Sequence, residues 1–125
     1  MKKRILVIDD NEDLLNMLQL ILGKRGFEIE ISENGFDGIK RASKFKPDLI
    51  ILDIMMPEID GYNTMRKIRS IKNIKPIIVM NTNLGLEKER GKAMKLGANF
   101  YINKSEYTLL ETVNKIQEIV TKAMK

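Results

Sequence analysis

Cysteine and histidine are both absent from the 125-residue sequence, and their absence excludes several kinds of functional site. Without cysteine the chain can form no disulfide, no thiolate metal site and no cysteine nucleophile, which fits a reducing cytoplasm. Without histidine it can form neither a serine–histidine catalytic pair nor a histidine-ligated zinc site, and it cannot itself carry phosphohistidine. A divalent ion bound here would therefore be held by oxygen atoms, which favours Mg²⁺.

Long apolar segments are absent as well. No apolar run approaches the ~18 residues that a membrane-spanning helix requires. The basic start MKKR is followed by only four apolar residues before Asp9, too few for the apolar region of a signal peptide. Repeats, low-complexity tracts and flexible linkers are also missing. We therefore expect residues 1–125 to form a single cytoplasmic domain without membrane insertion, and a stand-alone one because no output segment follows residue 125.

The net charge of +5 is unevenly distributed along the chain. Residues 1–60 carry a net charge of −3, whereas residues 61–125 carry +8. A strongly basic half can indicate an acidic partner or nucleic acid. Lysines scattered over amphipathic helices more often form a solvated surface, so we expect no direct binding of nucleic acid.

Apolar periodicity predicts five strands that alternate with five helices. The strands β1 to β5 are expected at residues 5–8, 27–31, 49–52, 77–80 and 100–102. A helix follows each strand, and these helices are labelled α1 to α5. Apolar residues recur at helical spacing in α1, and the apolar residues of α2 and α5 are expected to face inward. The apolar positions are Leu14, Leu15, Leu18, Ile21 and Leu22 in α1; Phe36, Ile39, Ala42 and Phe45 in α2; Met65, Ile68 and Ile71 on one side of α3; Ala93, Met94 and Leu96 in α4; and Leu109, Leu110, Val113, Ile116, Ile119 and Val120 in α5.

Capping and stop signals mark several helix boundaries. Asn11 is suited to cap α1, and Gly26 to end it. Pro47 stops α2, because the residue before a proline disfavours helical geometry. Thr108 and Glu111 have the spacing of a capping box at the start of α5.

The alternation of strands and helices indicates an α/β fold with a parallel sheet and right-handed crossovers. We predict a doubly wound, five-stranded parallel sheet of order 2-1-3-4-5 with five helices, a flavodoxin-like arrangement. The strict alternation of apolar and acidic residues over positions 27–31 fits an edge strand with one solvated face. In such a sheet, ligands bind outside the carboxyl ends of the neighbouring strands β1 and β3.

Acidic residues follow both of those strands. Asp9 and Asp10 come directly after β1, and Asp53 comes directly after β3. Three converging carboxylates would repel one another, and Mg²⁺ resolves this conflict because it accepts carboxylate and phosphate oxygens. Lys104 after β5 adds a charge suited to a phosphate, and the polar run 81–83 follows β4 at the same edge.

Three motifs, together with the polar end of β4, resemble the receiver domain (CheY-like) of two-component response regulators. They are VIDDNE at 7–12, ILDIMMPEIDG at 51–61 and GANFYINKS at 97–105, and the similarity covers essentially the whole chain. The resemblance implies a signalling phospho-acceptor that assists its own phosphorylation and dephosphorylation rather than an enzyme. It implies two partners: a sensor histidine kinase as phosphodonor, and a downstream protein.

The resemblance also implies the roles of individual residues. Asp53 would be the phosphoryl acceptor. Asp9, Asp10 and Asp53 would hold Mg²⁺, together with the backbone carbonyl of Met55, and Lys104 would bind the phosphoryl group. Carboxylate attack on a phosphorus neutralised by metal and lysine relies mainly on positioning and electrostatics.

A conformational switch is implied as well. The switch hydroxyl maps to Thr82 when counted back from Lys104, and to Asn81 when counted forward from Pro76; we favour Thr82 because it has a hydroxyl. Tyr101 occupies the switch-aromatic position, and its inward rotation would alter the surface of α4, β5 and α5. An amphipathic residue at a sheet edge is the alternative interpretation of Tyr101.

Lys88, Lys92 and Lys95 are expected on or near that output surface, where their positive charge favours an acidic partner. Met55 and Leu84, two residues beyond Asp53 and Thr82, suggest slow loss of the phosphoryl group by analogy with the family.

One departure from the family pattern carries a structural prediction. The lysine is usually followed by proline in a cis peptide, whereas Ser105 follows Lys104 here. A non-proline cis bond costs about 2.5–4 kcal/mol. We therefore expect the Lys104–Ser105 bond to be trans or visibly strained, with a shifted loop before α5.

Two other functions compete with the receiver hypothesis. The first is a small Mg²⁺-dependent phosphatase with an aspartyl-phosphate intermediate, but such enzymes usually place a second Asp where this chain has Met55. The second is a flavodoxin-like cofactor binder, but no phosphate-cradling Gly/Ser/Thr loop follows β1.

Overall fold

The computed structural model describes residues 2–85 and 87–124, in which five strands alternate with five helices. The strands are β1 (Arg4–Ile8), β2 (Glu28–Ser32), β3 (Leu49–Leu52), β4 (Ile77–Thr82) and β5 (Phe100–Asn103). The helices are α1 (Glu12–Lys24), α2 (Gly35–Phe45), α3 (Gly61–Arg69), α4 (Glu87–Leu96) and α5 (Leu109–Ala123). Each predicted element is present. β3 has the predicted bounds, and the other four strands differ from the prediction by one or two residues at one or both ends.

The five strands form one sheet of order β2-β1-β3-β4-β5, and every adjacent pair is parallel. This order and the edge position of β2 confirm the predicted topology. β1 and β3 are neighbours, with Ile8 opposite Leu52 at their carboxyl ends. The residues that follow these two strands therefore share one edge of the sheet.

Helices cover both faces of the sheet and divide the core into two clusters. On one face Leu6, Ile50 and Met80 pack with residues of α2, α3 and α4. On the other face Val7 and Ile51 pack with residues of α1 and α5. No helix of the described residues is both long and apolar enough to cross a membrane.

Side-chain caps fix the starts of four helices. The Asn11 side chain accepts a hydrogen bond from Leu14 N, and the predicted Thr108–Glu111 capping box is present at α5. Asn34 and Asp60 cap α2 and α3 in the same way. Each cap satisfies a backbone N–H that has no partner within its helix.

The predicted inward positions of Phe36 and Leu110 are wrong, since the two side chains are 54% and 56% exposed. α2 buries Gly35, Gly38, Ala42 and Phe45, so Phe36 lies about 100° round the helix from the buried Gly35. Glycine at position 38 lets the buried face of α2 pack closely on the sheet, because a Cβ there would lie only 2.5 Å from the Ile8 side chain. Phe36 is thereby left on the outer side of the helix.

The Leu110 side chain likewise lies outside the buried face of α5, which includes Val113, Ile116 and Val120. α3 ends two residues before Ile71, which packs partly buried against the core from beyond the helix. Apolar character alone therefore assigned too many residues to the buried helix faces.

Candidate functional site

Asp9, Asp10 and Asp53 meet at the carboxyl edge of the sheet. Asp53 N donates a 3.0 Å hydrogen bond to the carbonyl of Ile8, which ties the end of β3 to the end of β1. Each of the three carboxylates offers an oxygen within 4.8 Å of the others. The predicted convergence is confirmed, and the cluster could hold a metal ion.

The acidic cluster combines two buried carboxylates with one exposed carboxylate. Asp9 and Asp53 are only 2% and 7% exposed, whereas Asp10 faces solvent. Burial raises the pKa of Asp9, while the hydrogen bonds that it accepts from Lys104 and from the Asn11 N–H oppose this rise. Lys104 and the Asn11 N–H therefore offset part of the cost of burying the Asp9 carboxylate.

Lys104 supplies the positive charge that the acidic pair needs. Its Nζ lies 2.6 Å from Asp9 Oδ2 and 3.3 Å from Asp53 Oδ2. Lys104 N also donates a 2.8 Å bond to the Thr82 carbonyl, which anchors the lysine at the end of β4. The ammonium group bridges two carboxylates of neighbouring strands from the far side of the site.

Local backbone bonds orient both carboxylates. Asp9 Oδ1 accepts a hydrogen bond from Asn11 N at 2.9 Å, and Asp53 Oδ1 accepts one from Ile54 N at 2.7 Å. The Oδ2 atom of each residue then faces Lys104. One oxygen of each carboxylate is therefore bonded to a backbone N–H, and the other oxygen faces the ammonium group of Lys104.

The loop between β3 and α3 approaches the site closely at Gly61. A Cβ at Gly61 would lie 2.2 Å from the Asp53 carbonyl oxygen and 2.7 Å from Ile54 Cα, so any side chain would displace the end of β3. Gly61 N donates a 2.8 Å bond to the Ile54 carbonyl. This glycine lies within the motif at 51–61, and the motif alone does not indicate its close packing against Asp53.

Met55 lies in the same loop with its side chain 63% exposed. Together with Asp10, Met55 lines a cavity of about 550 Å³ that extends toward α4. Tyr62, Leu84 and Lys92 also line this cavity. Met55 and the exposed member of the acidic cluster therefore open onto the same cavity.

Asn81 and Thr82, the two candidates for the switch position, are both buried. Met80 of β4 pairs with Leu52 of β3. Asn81 and Asp53 come directly after these two paired residues, so they occupy neighbouring positions. No hydrogen-bond partner of Asn81 Oδ1 is present among the described residues. Because side chains alternate along a strand, the Thr82 side chain lies on the opposite face of the sheet from the Asn81 side chain.

Tyr101 shares a sheet face with Thr82, since Met80 pairs with Tyr101 and lies two residues before Thr82. The Tyr101 hydroxyl donates a hydrogen bond to the Leu84 carbonyl, on the segment between β4 and α4. The ring is partly buried against the core, and this burial raises the pKa of Tyr101. The aromatic side chain thus joins β5 to the segment before α4.

The loop from β5 to α5 contains the departure from the family pattern. All described peptide bonds are trans, so the trans geometry predicted for Lys104–Ser105 is confirmed. The Asn103 side chain accepts hydrogen bonds from Ser105 N at 3.0 Å and Ser105 Oγ at 2.7 Å. It also donates to Glu106 at 3.0 Å. This role of Asn103 was not predicted from the sequence, although a polar residue before a turn is a signal for it.

A second contact missed from sequence links α3 to α4. The Tyr62 hydroxyl donates to the Glu89 carboxylate, and Lys92 Nζ lies 4.4 Å from the centroid of the Tyr62 ring. Burial and the nearby Glu89 raise the pKa of Tyr62. No local pattern signals this contact, because Tyr62 and Glu89 are 27 residues apart in sequence.

Comparisons with known proteins agree with this geometry. Residues 5–116 match the family model described as the response regulator receiver domain. Over 105 residues the chain is 37% identical to the chemotaxis protein CheY of Halobacterium salinarum, covering 83% of this chain and 86% of that protein. Over 104 residues it is 36% identical to the alkaline phosphatase synthesis transcriptional regulatory protein PhoP of Bacillus subtilis, covering 83% and 43%, respectively. The chain spans about half the length of the transcriptional regulators that it matches.

Solved structures show the same fold. A two-component response regulator from Clostridium difficile superposes with a TM-score of 0.88 at 26% identity, covering 99% of this chain and 100% of that chain. A CheY-like receiver domain protein from Methanospirillum hungatei gives a TM-score of 0.87 at 24% identity, with 98% and 96% coverage. At 24% identity, the similarity to the Methanospirillum hungatei protein shows a shared fold only.

Proposed function

The chain belongs to the response regulator receiver domain family, and on this premise we propose that Asp53 accepts a phosphoryl group from a phosphohistidine of a sensor histidine kinase. Receiver domains of response regulators are phosphorylated by histidine kinases and interact with downstream partners in two-component signalling. The observation that carries the assignment of Asp53 is its position: a buried carboxylate next to a second aspartate and bridged to it by Lys104.

The proposed transfer is an in-line displacement at phosphorus. A carboxylate oxygen of Asp53 forms a bond to phosphorus, the P–N bond of the donor breaks, and the imidazole of the kinase leaves with that electron pair and takes up a proton. Asp53 Oδ1 is already bonded to Ile54 N, which fixes the plane of the nucleophile. Positioning of this kind contributes much of the rate in phosphoryl transfer.

We propose that Asp9, Asp10, Asp53 and the Met55 carbonyl hold Mg²⁺. The donor set fits, because it consists of hard oxygens and keeps room for water and phosphate oxygens on the exposed side of Asp10. When bound, the ion neutralises charge on the transferring phosphoryl group. Lys104 would exchange its contact with Asp9 for a phosphoryl oxygen, since both are anionic and lie at the same edge.

The proposed output is a change in the surface formed by α4, β5 and α5. Thr82 shares a sheet face with Tyr101, which favours it as the hydroxyl that couples Asp53 to the aromatic ring. Asn81 is favoured by a different observation: it lies beside Asp53, and its buried Oδ1 has no hydrogen-bond partner in the part of the chain that the structure describes. We retain Thr82 as the switch residue and propose that Asn81 contributes a polar group to the phosphoryl pocket.

We further propose that residues 1–125 act as one receiver unit in the cytoplasm, without direct binding of nucleic acid and without steady enzymatic turnover. No observation favours the phosphatase alternative: Met55 occupies the position of its second aspartate, and its side chain faces solvent. The exposed Met55 and the partly buried Leu84 offer no carboxylate or amide to activate water, which is consistent with slow loss of the phosphoryl group.

Acetyl phosphate tests the proposal without knowledge of the kinase. We expect incubation with Mg²⁺ and acetyl phosphate to add one phosphoryl group per chain, located at Asp53 by peptide mass spectrometry. Asp53→Asn should lose the label, whereas Asp13→Asn, an exposed acid on α1, should keep it. A label at another residue, or continuous turnover of phosphomonoesters, would contradict the proposal.

A further inference from the structure

A groove with a volume of about 840 Å³ lies between α3 and α4. Arg66 of α3 and Lys88, Lys92 and Lys95 of α4 line it, together with Gly91 and Leu96. Four of these six lining residues are basic, and none is acidic. Sequence analysis placed the three lysines on or near the surface of α4, β5 and α5; in the structure they line the side of α4 that faces α3.

The basic side chains of the groove are available for an external partner. Arg66, Lys88, Lys92 and Lys95 are all exposed. Within residues 2–85 and 87–124, none of the four forms an ion pair with a carboxylate. The nearby acid, Glu89, accepts the hydroxyl of Tyr62 instead. Four cations therefore line one concavity, and none of them is paired with a carboxylate of the described residues.

The shape and lining of the groove narrow the class of ligand. Leu96 is half-buried, and the methylene stems of the lysines add apolar surface beside their charged ends. Gly91 leaves open space along α4, because a Cβ at this position would meet no atom within 4 Å. Lys92 is held over the Tyr62 ring, which fixes one side of the groove. An apolar anchor with flanking carboxylates would fill such a site.

We propose that the α3–α4 groove docks an acidic segment of a partner protein, with an apolar side chain seated along Gly91 and Leu96 and its carboxylates facing Arg66, Lys88 and Lys95. Nucleic acid fits less well, because Tyr62 is buried and the lining offers no exposed aromatic ring for base stacking. A bilayer surface also fits less well, because the apolar lining lies inside a concavity. The groove uses the side of α4 that faces α3 rather than the side toward β5 and α5, so we expect it to bind its partner whether or not Asp53 is phosphorylated.

A synthetic peptide tests the groove in the unphosphorylated protein. The probe is a fluorescein-labelled, Glu-rich helical peptide with two Leu residues spaced one turn apart, and its binding is followed by fluorescence anisotropy. We expect binding that weakens as salt increases. The same peptide with Lys in place of Glu, a single-stranded oligonucleotide and anionic phospholipid vesicles should bind more weakly; tighter binding of the oligonucleotide or of the vesicles would overturn the proposal.

Charge reversal with a matched control locates the site. Lys88→Glu combined with Lys95→Glu should weaken peptide binding by about tenfold or more, since each change replaces attraction by repulsion near the ligand. Lys40→Glu combined with Lys44→Glu changes the net charge equally at exposed positions of α2 and should alter binding by about twofold or less. Equal losses in the two double variants would show nonspecific attraction and overturn the proposal.

A steric variant separates docking from overall charge. Gly91→Leu adds a side chain into the open groove and favours the helix, so the protein should stay folded while peptide binding falls about tenfold. Unchanged binding in Gly91→Leu would contradict docking at this place. Acetyl phosphate labelling of Asp53 should persist in every groove variant, so failure of the groove hypothesis and failure of the proposed receiver function give different results.

Discussion

The ammonium group of Lys104 bridges two buried carboxylates whose mutual repulsion would otherwise favour protonation of one of them. Asp9 and Asp53 each use one oxygen for a local N–H and present the other to this lysine. At the scale of single residues, the site is thus a set of carboxylates fixed by backbone bonds around the ammonium group of Lys104. Asn81 and Thr82 are the polar side chains at this edge whose roles an experiment can separate.

Thr82→Val and Asn81→Ala distinguish the two switch candidates. After addition of beryllofluoride and Mg²⁺, we expect amide hydrogen exchange in α4 and β5 to change in the wild type and in Asn81→Ala. Thr82→Val keeps the shape of the side chain but removes the hydroxyl, so the exchange change should be lost although Asp53 still accepts a phosphoryl group from acetyl phosphate. If Asn81→Ala instead loses the change and Thr82→Val keeps it, Thr82 is not the switch residue.

At the scale of single elements, the helix starts combine backbone capping with charge. Asp37 in the first turn of α2 accepts hydrogen bonds from Ser32 Oγ and Arg41 Nε, both at 2.7 Å. The bond from Ser32 and the charge and bond of Arg41 lower the pKa of Asp37. The negative charge also faces the positive end of the helix dipole. α2 is therefore joined to the end of β2 by a carboxylate that is stable in its ionised form.

Asp37→Asn should destabilise the protein in a pH-dependent manner. Because the folded-state pKa of Asp37 lies below its unfolded value, its stabilising effect is present above the unfolded pKa and is lost as pH falls through the folded pKa. We expect a loss of about 0.5–1 kcal/mol in the free energy of unfolding near neutral pH, limited by the partial exposure of the pair. Below about pH 4 the difference from wild type should shrink toward zero.

Urea unfolding followed by far-UV circular dichroism measures this difference, and a chain without tryptophan is suited to that method. Asp13→Asn provides the control, because Asp13 lies in the first turn of α1 without a side-chain partner among the described residues. A pH-independent loss in Asp37→Asn would show that packing or the amide itself, rather than ionisation, causes the effect.

At the scale of the whole molecule, the folded chain gathers charges that the sequence keeps far apart. The carboxyl edge of the sheet carries the acidic cluster, while the α3–α4 groove carries four of the basic side chains from the positive half of the chain. The contact between this cluster and Lys104 exists only in the folded state, since Asp9 and Lys104 are 95 residues apart in sequence. A ligand of this cluster should therefore stabilise the entire fold.

Mg²⁺ should raise the free energy of unfolding of the wild type, by about 1.4 kcal/mol when free Mg²⁺ exceeds its dissociation constant about tenfold. Lys104→Met should be less stable than wild type without metal, by about 1–3 kcal/mol, because two buried carboxylates lose their cation. Its gain from Mg²⁺ should be larger than that of wild type, since no ammonium competes for Asp9 Oδ2.

Urea midpoints measured with Mg²⁺ and with EDTA at matched ionic strength test both statements. Lys115→Met removes a half-buried lysine of α5 whose ion-pair partner among the described residues is Glu118, and this variant should behave as wild type. A midpoint that does not respond to Mg²⁺ would argue against a metal site at Asp9, Asp10 and Asp53.

The amino-acid sequence by itself determined the order of elements, the strand order of the sheet and the meeting of Asp9, Asp10 and Asp53 at one edge. These features follow from local patterns: apolar runs of strand length, caps such as Asn11 and Thr108, and acids placed directly after strands. Residues that follow adjacent parallel strands share an edge whatever the details of packing, so the central feature of the site could be predicted.

Only the tertiary structure decided how the helices rotate on the sheet and which distant side chains meet. Phe36 and Leu110 proved exposed because glycine-based packing of α2 and the buried stripe of α5 turn other residues inward. The contact of Tyr62 with Glu89 and the meeting of Arg66 with the lysines of α4 depend on how α3 and α4 lie against each other. Such contacts join residues far apart in sequence, and their geometry is set by close packing of the whole core rather than by any local pattern.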